Sequence, residues 1–226
     1  LLTRMATRTA VNGRRGYNFV IDTGAARTAL AWDVARDLAL EPGPPLLVHG
    51  ITAAETVSSV RVPRLSFGGR RFNDLTAPVF ARETLGADGL LGLDVLSRFE
   101  LAFDLRRRTV IMKPAGPDVF TFGLASATAS RLTRTVPSRA RQGRFGQLIL
   151  INTHVDGVPV AAFVDSGAQF SIGNLALRNA ISTRQPDRER DSAVRVFGVI
   201  GQSLMAQTGC VGNLRIGHHD LGENAL

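Results

Sequence analysis

The stretch FVIDTGAART, Phe19 to Thr28, is the most informative part of this sequence. An apolar run leads into one Asp, and a small hydroxyl residue, a Gly and an Ala follow. This is the pattern of a carboxylate held where a strand ends in a tight turn. The pattern returns 143 residues later as FVDSGAQFS, Phe163 to Ser171. One such Asp is ordinary, but two in matching surroundings indicate that folding brings two carboxylates together.

The residues before each Asp predict a β-hairpin. Asn12-Gly13 separates two short apolar runs ahead of Asp22, and Asp156-Gly157 does the same ahead of Asp165. Asn-Gly and Asp-Gly between strand-like runs are the strongest short-range hairpin signals, because both residues tolerate a positive φ. Each Asp is therefore expected at the end of the second strand of its hairpin.

The similarity between the two halves continues beyond the hairpins. The segment VRVPRLSFGGRRF, 60–72, aligns with GCVGNLRIGHHDL, 209–221. We therefore predict an internal repeat, with one lobe over residues 1–117 and a second over 145–226. The Ser-, Thr-, Ala- and Arg-rich segment 118–144 is predicted to link them.

One further element of the first lobe should recur in the second. Gly89-Leu90-Leu91-Gly92 predicts a buried strand, and a short helix is expected from Asp94 to Phe99, with Asp94 as its N-cap. No counterpart follows 209–221 before Leu226, so the second lobe looks incomplete at its C-terminal end.

Composition favours many short strands and limits the partners. The chain has 226 residues, of which 44% are apolar, with 23 Gly and few aromatics. The net charge is +8, but the arginines are scattered through the sequence without interleaved aromatics. We interpret them as solvated turns and a basic linker rather than a nucleic-acid site. No apolar run approaches the ~20 residues that span a bilayer, so no membrane contact is evident.

The combination of motifs resembles the retropepsin-like aspartic proteases, with two lobes fused in one chain as in a bacterial aspartyl protease family. The resemblance rests on Asp22-Thr23-Gly24-Ala25, on Leu90-Leu91-Gly92 and on Asp165-Ser166-Gly167-Ala168. It implies a mainly all-β fold of two β-barrel lobes with short helices, related by a pseudo-two-fold axis.

The resemblance also implies an aspartic endopeptidase in which Asp22 and Asp165 activate a water molecule. The neighbouring residues would support the two active-site loops: Thr23, Gly24, Ala25, Ser166, Gly167 and Ala168. Residues 48–56 and 196–204 would form flaps over a polypeptide substrate, with contacts from Gly50, Ile51, Thr52, Gly198 and Gly201. No cofactor and no metal are implied, the chain would be a monomer or a homodimer, and analogy favours a periplasmic or secreted compartment.

Two other functions stay open at this point. The chain could be a non-catalytic relative that keeps the fold and binds peptides. It could also be a peptidase that is active only as an intermolecular dimer of N-terminal lobes. The presence of both Asp-hydroxyl-Gly-Ala motifs argues against the first of these, and the missing element of the second lobe keeps the other open.

Overall fold

A computed structural model describes residues 4–51, 53–104, 107, 109–114, 121–125, 135–142, 148–184 and 193–222. The chain forms two compact units. The first comprises residues 1–96, 165–167 and 193–206, and the second comprises 97–164, 168–192 and 207–226. The first unit thus includes both Asp22 and the residues 165–167, although they are far apart in sequence.

Short strands dominate the chain. The strands are β1 (Ala6–Val11), β2 (Arg14–Ile21), β3 (Ala29–Ala31), β4 (Leu46–His49), β5 (Ala54–Val57), β6 (Ser59–Phe67), β7 (Arg70–Phe80), β8 (Gly89–Leu91), β9 (Phe99–Asp104), β10 (Thr109–Pro114), β11 (Thr121–Ala125), β12 (Thr135–Gln142), β13 (Leu148–Val155), β14 (Val158–Phe163), β15 (Ala193–Phe197), β16 (Ser203–Gln207), β17 (Leu214–Ile216) and β18 (His219–Asp220). The helices are α1 (Trp32–Asp37), α2 (Arg82–Leu85), α3 (Leu93–Leu96) and α4 (Leu175–Arg184). The prediction of a mainly all-β fold is confirmed.

The first unit is built on a closed six-stranded barrel in the order β1-β2-β8-β3-β7-β6. β1 and β2 form the hairpin predicted at Asn12-Gly13. The last three residues of β2, 19–21, are all buried, because β8 pairs parallel to their other side and places Leu91 beside Ile21. The strand that leads to Asp22 is therefore enclosed on both edges, and the predicted buried strand at Gly89 is the element that encloses it.

The second unit is an eight-stranded sheet in the order β10-β9-β11-β12-β13-β17-β18, with β14 paired to β13. The β13–β14 hairpin turns at Asp156-Gly157, as predicted, and both residues have a positive φ. Along β14, half-buried and exposed residues alternate, and Phe163 at its end is 54% exposed. The second Asp motif thus follows a strand that is only partly covered.

The segment predicted as a linker, 118–144, contains regular structure. β11 and β12 pair antiparallel within it, and β12 continues into the pairing with β13. These strands form because they pair with neighbouring strands. A composition rich in Ser and Arg does not indicate that pairing. The division of the chain into two repeated lobes at this segment stays a prediction.

Candidate active site

The loop after β2 folds around its own aspartate. Asp22 Oδ1 accepts hydrogen bonds from the backbone N–H groups of Gly24 (2.9 Å) and Ala25 (3.0 Å). An Asp that accepts from the backbone two or three residues ahead closes a tight turn. In the second loop, Gly167 N–H donates to Asp165 Oδ1 at 2.8 Å. The shared Asp-hydroxyl-Gly pattern therefore builds the same kind of turn twice.

Reciprocal hydrogen bonds join these two loops through their hydroxyl residues. Thr23 N–H donates to Ser166 Oγ at 3.1 Å, and Ser166 N–H donates to Thr23 Oγ1 at 3.0 Å. Ser166 Oγ also donates to the carbonyl of Ile21 at 2.8 Å. Thr23 is completely buried, so these bonds are shielded from water and fix the two loops against each other.

Both glycines give the opposite carboxylate room. A Cβ on Gly24 would lie 2.6 Å from either carboxylate oxygen of Asp165. A Cβ on Gly167 would lie 2.5 Å from Oδ2 of Asp22. Real side chains do not approach so closely, so only glycine lets each carboxylate sit directly against the other loop. Ala25 and Ala168 follow in their loops, with Ala25 half-buried and Ala168 exposed.

The two carboxyl groups interact directly. Burial raises the pKa of Asp22 to about 7; the charge of Asp165 and a side-chain hydrogen bond with it add to the effect, and the N–H groups of Gly24 and Ala25 oppose it. Two carboxylates this close cannot both be ionised, so the pair retains one proton. Such a pair can supply a general base and a general acid at the same point.

Residues behind the first loop hold it in place. Leu93 N–H donates to the carbonyl of Ala25 at 2.8 Å, and Asp22 N–H donates to that of Leu91 at 3.0 Å. Asp94 Oδ1 accepts from both the N–H (2.9 Å) and the Oγ1–H (2.8 Å) of Thr28. The prediction that Asp94 caps its helix is wrong. The helix begins at Leu93, and the carboxylate turns instead to the two donors of Thr28, a contact that the sequence does not show.

The predicted flap segments form two hairpins, β4–β5 and β15–β16, and their tips meet within the first unit. A Cβ on Gly50 would lie 2.8 Å from Cδ1 of Ile200, and one on Gly198 would lie 3.8 Å from Ile51. Gly201 has a φ of 78°, as the β15–β16 turn requires. Thr52 lies outside the described residues. Ile200, which meets Gly50, lies within the predicted flap segment 196–204, but the sequence did not single it out.

Two further observations concern the part of the chain that the structure describes. No group of three or more His, Cys, Asp or Glu residues there is placed to hold a metal ion. None of the helices in those ranges has both the length and the apolar character needed to cross a bilayer.

Comparison with known proteins points to one family. Residues 7–95 match the family model described as aspartyl protease. Among solved structures, a retropepsin-like aspartic protease from Rickettsia conorii is 22% identical, with 47% of this chain and 80% of that chain covered and a TM-score of 0.36. No curated protein matches. The resemblance to aspartyl proteases is confirmed over 7–95 and supports aspartic protease activity in general. The residues around Asp165 lie outside the matched range.

Proposed function

We propose that this chain is an aspartic endopeptidase whose catalytic pair, Asp22 and Asp165, is assembled within one chain. The observation that carries the proposal is the reciprocal packing of Gly24 and Gly167 against the opposite carboxylates. A turn that only stabilises a barrel does not require a second carboxylate packed directly against its glycine. The substrate class is polypeptide, which the aspartyl protease match supports.

In this proposal Asp22 is the general acid, because its raised pKa lets it keep the proton that the pair shares, and Asp165 is the general base. Asp165 takes a proton from water as the water oxygen attacks the scissile carbonyl carbon, and Asp22 donates its proton to the carbonyl oxygen. When the tetrahedral intermediate collapses, the C–N bond breaks, the amine takes the proton from Asp165, and Asp22 recovers its own from the hydroxyl.

The test replaces each aspartate separately. Asp22→Asn and Asp165→Asn should each lower kcat/KM for an unfolded polypeptide about 10,000-fold at mildly acid pH, because each variant loses one partner of the acid–base pair. Asp37→Asn is the matched control, since Asp37 is exposed on α1 and forms an ion pair with the neighbouring Arg36. Thermal unfolding of all three variants shows that the fold survives.

The pattern of activity separates the proposal from its alternatives. Wild-type cleavage by Asp165→Asn together with an inactive Asp22→Asn would favour an intermolecular dimer of first lobes. Peptide binding without cleavage by the wild type would favour a non-catalytic relative. Mixing the two inactive variants should restore nothing, because in each chain one half of the pair is missing.

A further inference from the structure

Strand register collects arginines that are scattered in the sequence. In the barrel, β2, β1, β6 and β7 are consecutive neighbours. β1 contributes one arginine, and the other three strands contribute two each, which gives seven; Asp74 is the only acidic residue in these four strands. The four strands lie entirely within the described residues. This part of the barrel therefore has a strong positive charge of its own.

Four of the arginines share the outer face of these strands. Cross-strand pairs run from Arg15 to Ala10, from Ala10 to Ser66, and from Ser66 to Arg71. Paired residues point to the same side of a sheet. The alternating residues Val11, Leu65 and Phe67 are buried, so this row faces outward. Arg8 and Arg64 lie two residues from Ala10 and Ser66 on the same strands and are exposed as well.

We define Arg8, Arg15, Arg64 and Arg71 as the arginine face. Arg15 and Arg71 are three strand spacings apart, about 14 Å, and Ala10 and Ser66 provide a low floor between them. No ion pair in the described part of the chain involves any of the four. The charges are thus spread over a sheet face rather than lining a pocket, and they are available to a partner.

We propose that the arginine face docks the protein on an anionic lipid surface. A plane of mobile anionic head groups can meet charges that are spread over a sheet face, and each arginine at such a surface contributes about fivefold to binding. Nucleic acid fits less well. Of the aromatic residues in these strands, Phe19 and Phe80 are buried, and Tyr17, Phe67 and Phe72 pair with or lie among inward residues, so none is placed to stack on bases.

Docking there leaves the candidate catalytic pair free. Arg15 is near the start of β2, and Asp22 follows its end, so seven residues of extended chain separate them by about 23 Å. Arg15 and Arg71, which share one row across the strands, therefore lie at the far end of β2 from the carboxylates, and Arg8 lies opposite Asn18 in the middle of that strand. A protein held by this face keeps its access to polypeptide.

The test compares two triple variants of equal charge. Arg15→Gln/Arg64→Gln/Arg71→Gln removes three members of the arginine face and leaves Arg8, which donates to the carbonyl of Gly16. Arg36→Gln/Arg98→Gln/Arg178→Gln removes three exposed arginines elsewhere. Binding to vesicles of phosphatidylcholine alone, or mixed equally with phosphatidylglycerol, is measured by sedimentation at about 0.1 M salt, where the Debye length is about 10 Å.

The wild type should bind the mixed vesicles and not phosphatidylcholine alone. The arginine-face variant should lose about 100-fold in affinity, the control variant much less, and both should keep wild-type thermal stability. An equal loss in both variants would mean that net charge alone drives binding and would overturn the proposal. The proposal would also be overturned if the wild type did not bind the mixed vesicles. It would be overturned as well if an equal amount of duplex DNA displaced the vesicles from the protein.

Discussion

The two hairpins that lead to Asp22 and Asp165 share a sequence pattern but have different surroundings. β2 is enclosed between β1 and β8, and its last three residues are buried. In the described part of the chain, β14 pairs with β13 alone, and Phe163 at its end is half exposed. Apolar residues that follow Asp165, such as Phe170 (61% exposed) and Leu175 (71%), are also open to solvent. The same Asp motif can therefore follow a strand that is buried and paired on both edges or one that is partly exposed.

The difference shows which residues hold the second Asp loop, 165–167, in place. The residues 165–167 group with the first unit, whereas the strand before them belongs to the second. Their bonds run to Thr23 and Ile21 rather than to a strand equivalent to β8. The first loop is thus held from behind by its own barrel, and the second is held by the first.

The largest effect should come from truncating the core under each loop. Leu91→Ala removes a fully buried side chain and should lower the free energy of unfolding by about 3 kcal/mol. Phe163→Ala should lower it by less than about 1 kcal/mol, because half of that side chain is already in water. Urea unfolding measures both changes. Equal losses would contradict the difference in support.

A smaller effect is expected from the bonds between the loops. Thr23→Val and Ser166→Ala should each cost about 2 kcal/mol, since each leaves a shielded donor or acceptor without its partner. The double variant should cost less than the sum of the two, with a coupling of about 1 kcal/mol. Thr109→Val and Ser171→Ala, both exposed, are the controls. Simple additivity would show that the loops are positioned independently.

A third effect is a dependence of stability on pH. The pKa of Asp22 lies at about 7 in the folded chain, against 3.8 for an ordinary Asp, so the folded state holds a proton that the unfolded state has released in this range. The free energy of unfolding should therefore fall as pH rises from about 4 to 7, by at most about 1.4 kcal/mol per pH unit.

Asp22→Asn provides the reference, because its amide does not titrate. Thermal unfolding at several pH values should show the wild type losing stability relative to this variant as pH rises, with the difference complete just above pH 7. Parallel curves for the two proteins would mean that the pKa of Asp22 is not raised by its neighbour and by burial.

The sequence alone predicted the parts that depend on local chemistry. Asn12-Gly13 and Asp156-Gly157 formed the expected turns because positive φ is a property of those residues. Gly89 to Leu91 formed the expected buried strand because an uninterrupted apolar run suits a strand covered on both faces. The local pattern was less reliable for Asp94, where a tertiary contact with Thr28 replaced the expected cap.

Contacts between residues that are far apart in the sequence depended on the tertiary structure. The sequence supplied two turns with an Asp, a hydroxyl and a Gly, and only folding placed Gly24 and Gly167 against the opposite carboxylates and raised the pKa of Asp22. Only strand register brought Arg15 and Arg71 onto one face, although in sequence they are 56 residues apart. The physical reason is the same in both cases. Turn geometry is set by a few neighbouring dihedral angles, whereas charge and burial depend on which strands pair.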